Sequence, residues 1–301
     1  MNKQRLIPGT DLAISPLSLG TSTFGDLFGD VHDDASKIIC AALDLGINYF
    51  DTAPFYGSGL AEERLGNALQ GLSRSEYILS TKVGRYGLKD FDFSAARVVR
   101  SIDESLCQLN TDYLDIVFCH DVEFADASQI RQETLPELRR MQKEGKIRYV
   151  GISGLPLKTL HAISEQGVVD FVLSYGQWTL LNQDLGKWLT TFRAQNIGLI
   201  NAAPLAMGLL TRRGPPKWHP ATQEIKDLCQ DVGRQLQCSS IDLARVALQF
   251  SLSAKGPDIT LASARSVAQI EQWTQWLADP LPQESLTEAT KLLEPILGTL
   301  W

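Results

Sequence analysis

The chain lacks any apolar run long enough to span a bilayer. Its first residues, MNKQRLIPGTDLAIS, lack the apolar stretch of a secretory signal. Basic residues are not in excess: 28 Lys and Arg stand against 35 Asp and Glu, a net charge of -7. That balance argues against a nucleic-acid surface and chiefly favours solubility. No CxxC pair is present, and the five cysteines (Cys40, Cys107, Cys119, Cys229 and Cys238) are odd in number and widely spaced. They read as buried thiols in a reducing compartment, not as a disulfide framework or a zinc site. These absences point to a cytoplasmic protein with no nucleic acid and no membrane among its partners.

What is present is an ordinary globular balance, with 44% hydrophobic and 21% charged residues in 301. No linker interrupts it, so residues 1–301 are read as one domain. The segment richest in Pro and Gly, residues 214–220 (GPPKWHP), sits inside the pattern and reads as a loop insertion.

Short apolar runs alternate with amphipathic stretches. Strand-like runs lie at 16–20, 47–51, 77–82, 114–120, 147–153, 169–175, 197–202 and 259–262. Helical patterns follow at 33–45, 61–70, 94–109, 128–144, 156–164, 181–195, 221–254 and 267–277. The runs are rich in Ile, Val, Leu and Phe, as parallel strands buried on both faces require. Eight strand-then-helix units without a break in composition predict a closed (β/α)8 TIM barrel over an open doubly wound sheet. A dinucleotide fold of the open kind would want GxGxxG after the first strand. The nearest match, Gly57-Ser58-Gly59, follows the second strand and has Glu62 where the third glycine belongs.

Barrel chemistry sits at the C-terminal strand ends. There the second strand ends in Asp51 with Tyr56 in its loop, the third in Lys82 and the fourth in His120. A free tyrosine titrates near about 10, too high for easy proton exchange at neutral pH. Lys82 is expected to lower that value, Asp51 to hold Lys82 charged, and His120 to bind or relay to the substrate oxygen. Taken singly, each has an ordinary role as a cap, a packing residue or a solvated charge. Their convergence on adjacent strand ends argues for a site that moves a proton on an oxygen while hydride leaves or joins the same carbon.

These residues resemble the aldo-keto reductase superfamily: Asp51-Thr52-Ala53 with Tyr56-Gly57, Lys82 and His120, then Gly151-Ile152-Ser153. So do Ala203-Pro204-Leu205 with Gly208-Leu209-Leu210, and Ala264-Arg265-Ser266 with Gln269. The likeness spans about residues 17–276. It implies Asp51, Tyr56, Lys82 and His120 as a catalytic tetrad, no metal, and a monomer or weak homo-oligomer. It also implies nicotinamide cofactor contacts from Thr21, Ser153, Tyr175, Pro204, Leu205, Met207, Gly208, Leu210, Ser263, Arg265 and Gln269. The pyrophosphate is expected along Leu205 to Leu210, where Gly208 permits close approach.

Within that superfamily, Phe91-Asp92-Phe93-Ser94-Ala95, Cys119-His120-Asp121-Val122-Glu123-Phe124, Leu173-Ser174-Tyr175 and the GPPKWHPA loop at 214–221 look like the L-galactose dehydrogenase group. That likeness implies NAD-dependent oxidation of an aldose at C1 to its lactone, with L-galactose the first substrate to test. Asp121 and Glu123 are then candidates for sugar hydroxyls, with a solvated loop charge the favoured reading of Glu123. Two positions depart from the superfamily pattern. Gly154 stands where an Asn that holds the nicotinamide amide is usual, and Ala202 where a stacking aromatic is usual. Tyr175 or Trp178 are the aromatics at hand to compensate.

Ser263 and Gln269 occupy places where a base would favour NADP, so NAD is expected, while Arg265 leaves NADP open. Three rivals remain. One is an NADPH-dependent aldehyde or ketone reductase with the same tetrad. Another is a cofactor-sensing regulatory subunit of low activity. The third, a phosphate-binding isomerase on the same barrel, lacks an obvious glycine-rich phosphate loop.

Overall fold

The computed structural model describes residues 3–27, 31–253 and 255–300. It opens with a short antiparallel hairpin, β1 (Arg5–Leu6) against β2 (Ala13–Ile14). Eight parallel strands then close into a barrel: β3 (Leu17–Gly20), β4 (Tyr49–Asp51), β5 (Ile78–Val83), β6 (Leu114–Cys119), β7 (Ile147–Gly154), β8 (Phe171–Tyr175), β9 (Gly198–Ala202) and β10 (Ile259–Ala262). The ring is sealed where Ala262 of β10 pairs with Leu19 of β3. The expected (β/α)8 barrel is the observed one.

Side chains alternate between the faces of each strand. Tyr49, Ile78, Ile116, Phe118, Phe171, Leu173, Ile200 and Leu261 pack with one another inside the ring. Their neighbours Phe50, Leu79, Val117, Val150, Val172 and Leu199 face outward and pack against Ile38, Leu65, Val98, Leu138 and Leu160 of the surrounding helices. Each such apolar side chain withdrawn from water contributes about 1.5–3 kcal/mol. The same alternation that turns Tyr49 and Ile78 inward turns Asp51, Ser80 and Lys82 inward nearer the C-terminal mouth. The fold thereby supplies the site with its first residues.

Helix boundaries follow local chemistry. Asp34 caps the helix Ala35–Asp44 by accepting from Ser36 N at 2.8 Å. That helix ends at Gly46, whose φ of 81° suits glycine. The bond Ile47 N to Ala42 O at 2.8 Å then directs the chain into β4.

Five features differ from the sequence expectation. Of the five cysteines expected to be buried, only Cys119 and Cys229 are; Cys40, Cys107 and Cys238 are exposed. The hairpin was not anticipated: its strands are too short to show a period, yet Ile7, Leu12 and Ile14 are buried and plug the barrel interior. The stretch 128–144 is not one regular helix, for a wide π-turn (Ile130–Thr134) precedes Pro136, which cannot donate a backbone bond. The stretch 221–254 is two helices, Gln223–Cys238 and Leu243–Ser251, parted at Ser240, whose φ is 61°; Ala254 lies outside the described residues. The helix Val267–Ala278 is not the last. Gln283–Leu292 follows and packs through Ala289 and Leu293 against those two helices.

Candidate active site

Asp51 closes β4, Lys82 lies near the end of β5, and His120 follows β6. All three are buried, at 3%, 1% and 5% exposure. Lys82 Nζ donates to Asp51 Oδ2 at 2.6 Å and to Thr52 O at 2.7 Å. The other carboxylate oxygen of Asp51 accepts from Ser80 Oγ at 2.6 Å, and Ser80 in turn meets the Tyr49 hydroxyl at 2.8 Å. A buried charge pair is stable only when its remaining lone pairs and protons are met. Here they are met on both sides.

Tyr56 lies above this pair, with Lys82 Nζ 4.8 Å from its ring centre. The ring also stands edge-on to His120, centroids 5.8 Å apart. Close approach of Gly25 fixes the Tyr56 backbone: a Cβ on Gly25 would stand 2.4 Å from the Tyr56 carbonyl carbon. The structure therefore gathers Asp51, Tyr56, Lys82 and His120 into one cluster.

The electrostatics differ from the sequence expectation in one respect. Burial raises the Tyr56 phenol above its ordinary value, and the Lys82 charge opposes that rise without reversing it. Burial is the largest single influence on the Lys82 ammonium and works against it, but the Asp51 carboxylate and the Tyr56 phenol together outweigh it and raise its pKa. Burial pushes His120 down to about 3, despite the opposing pull of Asp121. The imidazole is neutral at physiological pH, and its Nδ1 is buried without a hydrogen-bond partner among the described residues.

A model of the Aldo/keto reductase family matches residues 16–294. The chain belongs to this family. It is an oxidoreductase of the aldo-keto reductase type, and such enzymes work with a nicotinamide cofactor. It is 41% identical to the L-galactose dehydrogenase of Arabidopsis thaliana, over 99% of this chain and 96% of that protein. It is 33% identical to the D-arabinose 1-dehydrogenase of Saccharomyces cerevisiae, over 85% and 82%. Among solved structures it resembles the holo form of aldo-keto reductase AKR11C1 from Bacillus halodurans, with a TM-score of 0.81 and 28% identity over 100% of this chain and 98% of that one.

Across the mouth from the tetrad, this aldo-keto reductase carries little side-chain bulk, with Ala202 at the end of β9 and Ser263 after β10, and Gly20, the register partner of Asp51, adds no side chain between them. Ser263 Oγ lies 3.1 Å from Ser22 Oγ. Tyr175 is half-buried beside Ala202, its register partner. That open, partly polar flank beside an aromatic ring fits a nicotinamide. Trp178 does not compensate for Ala202, since it is buried outside the barrel and stacks on Phe250 at 5.3 Å.

The Gly154 departure has a structural cause. A Cβ there would stand 2.4 Å from Glu123 Oε2. Glu123 is not a solvated loop charge: it is half-buried and accepts from Leu155 N at 3.0 Å and from the Tyr175 hydroxyl at 3.4 Å. Burial raises its carboxyl pKa. The adjoining Ser153 hydroxyl donates to Cys119 O and accepts from Asp121 N, each at 3.3 Å.

Some expected cofactor residues are engaged inside the protein. Thr21 donates through both N and Oγ1 to Asp51 O, which anchors the β4 end. The Leu210 side chain is buried among the C-terminal helices, so only its backbone is available to a ligand. Gly208 has a φ of 102°, and a Cβ there would stand about 3 Å from the backbone of Gly214 and Pro215, so its close approach is to the 214–221 loop. Pro204, Leu205 and Met207 lie in the same turn, where Ala203, Ala206 and Met207 also have left-handed φ values of 58°, 48° and 49°. Gln269 accepts from Arg265 N at 2.7 Å and thereby helps cap the helix Val267–Ala278.

Sequence reasoning missed Arg85 and Asp33. Arg85 forms a close ion pair with Asp121 and lies 3.9 Å above the Phe55 ring. Asp33 Oδ2 accepts from Val267 N at 2.8 Å, at the start of that last barrel helix. Neither lies at a strand end, and only an Arg near a line of aromatics could have flagged the first. Among the described residues, no helix is long and apolar enough to cross a membrane, and no group of three or more His, Cys, Asp or Glu could hold a metal ion.

Proposed function

We propose that the chain is an NAD-dependent aldose 1-dehydrogenase, with L-galactose as the first substrate. The observation that carries this reading is the Lys82–Asp51 pair buried beneath Tyr56, with the unpartnered Nδ1 of neutral His120 beside it. The named activities of the Arabidopsis and yeast relatives supply the substrate class.

In this reading Tyr56, as phenolate, takes the proton of the C1 hydroxyl as C1 loses hydride and becomes the lactone carbonyl. A bound nicotinamide would supply the hydride acceptor. Lys82 stabilises the phenolate, and Asp51 keeps Lys82 charged and aimed. His120, being neutral, orients the substrate oxygen instead of protonating it. Ser153, Tyr175 and the flank at Ala202 and Ser263 would hold the cofactor, with the backbone of the 204–210 turn available to its pyrophosphate.

Three features favour NAD over NADP. Ser263 and Gln269 bring no positive charge, and the Asp33 carboxylate sits at the helix start beside Arg265. A dianionic 2′-phosphate there would meet a fixed like charge. The five unbridged cysteines suit a cytoplasmic setting.

The test is a spectrophotometric screen of L- and D-aldoses with NAD and NADP, paired with Tyr56→Phe. The expected result is NADH formation with L-galactose, abolished in Tyr56→Phe while NAD binding stays within about twofold. A marked preference for NADPH and aldehyde reduction would replace this reading with that of a reductase. Absence of turnover with every sugar would favour a cofactor-sensing subunit.

A further inference from the structure

Arg85 has an unusual setting for a loop cation. Its guanidinium carbon lies 3.9 Å from the Phe55 ring centre, 5.4 Å from that of Phe91 and 5.7 Å from that of Phe124. Phe91 and Phe124 stack on each other, centroids 4.7 Å apart and 28° between planes, although Phe124 is 56% exposed. A backbone bridge joins Arg85 to Phe91 and fixes the base of this group. The charge is neutralised by Asp121, whose side chain is 5% exposed and whose Oδ2 is also 3.8 Å from His120 Nε2. Phe55 reaches the same histidine, ring centroids 5.9 Å apart. The cluster is thus continuous with the reacting centre and runs outward from it along the rim.

Such an arrangement has little use for a simple aldehyde. A small carbonyl compound needs the phenol and the imidazole, and nothing farther out. A sugar ring offers an edge of neighbouring hydroxyls and a face of C–H groups. An acid–guanidinium pair answers the first, since the carboxylate accepts and the planar guanidinium donates several bonds in a fixed fork. An exposed aromatic answers the second. Phe124 packs one face on Phe91 and leaves the other in water, open to a ring that docks along the rim. Asp121 is also not spent on capping the short turn Val122–Phe124, where its side chain makes no cap bond.

We propose that Arg85 is a substrate-positioning residue that selects polyhydroxylated substrates. Arg85 and Asp121 together grip neighbouring ring hydroxyls, while Phe124 covers the apolar face of the ring. The proposal rests on the aldose reading above and adds to it the residues that recognise the sugar beyond C1.

The experiment compares wild type, Arg85→Met, Arg85→Lys and Phe124→Ala with the best aldose of the screen. It measures kcat, KM and NADH binding by fluorescence. Loss of a charged hydrogen bond predicts a KM about 10- to 100-fold higher in Arg85→Met. It also predicts kcat changed less than about threefold, NADH affinity unchanged, and partial recovery in Arg85→Lys. Phe124 is on the surface, so Phe124→Ala stays folded whatever Arg85→Met does, and its KM rises about fivefold or more, the worth of one aromatic contact. An unchanged KM in both variants overturns the proposal. A fall in kcat at constant KM also overturns it, because Arg85 then acts on the chemistry through Asp121 and His120. If wild type oxidises no aldose at all, the aldose reading itself fails, an outcome distinct from both.

Discussion

The Thr81 hydroxyl donates to Glu62 Oε1 at 2.5 Å on the outer face of β5, immediately before Lys82. Glu62 is 1% exposed, and burial raises its pKa from 4.5 to about 7. Folded Glu62 therefore keeps its proton over a range in which the unfolded chain has lost it. Its effect on stability is most favourable below 4.5 and is lost as pH rises through about 7. The loss is on the order of 3 kcal/mol. Glu62→Gln is expected to remove this slope, so that the variant gains on wild type between pH 5 and 8, two values set only by the range just described. Urea unfolding at several pH values checks it, and parallel wild-type and variant curves would show that Glu62 ionises freely in the fold.

Asp51→Asn leaves the Lys82 ammonium buried with no carboxylate opposite. Breaking a buried pair from one side costs about 3–5 kcal/mol, and the variant is expected to lose stability on that scale. Its turnover is expected to fall at least about 100-fold, because the phenolate loses a charged, fixed Lys82. Thermal unfolding and steady-state rates report both effects. Wild-type turnover in a folded Asp51→Asn protein would remove Asp51 from the mechanism.

Burial holds His120 down to about 3, and Tyr56 titrates above its ordinary value. Sugar oxidation is therefore expected to speed up with rising pH on the alkaline side, as Tyr56 gives up its proton. No limb of the profile near the ordinary histidine value of about 6.5 belongs to His120. The comparison is kcat/KM against pH for wild type and His120→Asn. A limb near that value in wild type that disappears in the variant would mean that the imidazole is charged in the free enzyme.

Asp33 brings its charge to the start of the helix Val267–Ala278. Asp33→Asn keeps an oxygen to accept from Val267 N and removes the like charge. It is expected to raise kcat/KM for NADP about tenfold, equivalent to about 1.4 kcal/mol, with that for NAD changed little. An unmoved NADP to NAD ratio would place the selectivity elsewhere.

The sequence alone determined the barrel and the strand ends. Parallel strands buried on both faces must be continuous apolar runs, and alternation then commits Asp51 and Lys82 to the inside wherever the run ends. It also exposed two departures from the family pattern, at Gly154 and Ala202, without a reason for either. Only the tertiary structure decided what surrounds those positions: Glu123 fills the space beside Gly154, and Trp178 lies outside the barrel. It also decided the sign of the Tyr56 shift, because burial is summed over side chains from many segments while the Lys82 charge is one pair. Arg85 and Asp33 were invisible for the same reason. Their partners, Asp121 and Val267, are 36 and 234 residues away along the chain, and only folding makes them neighbours.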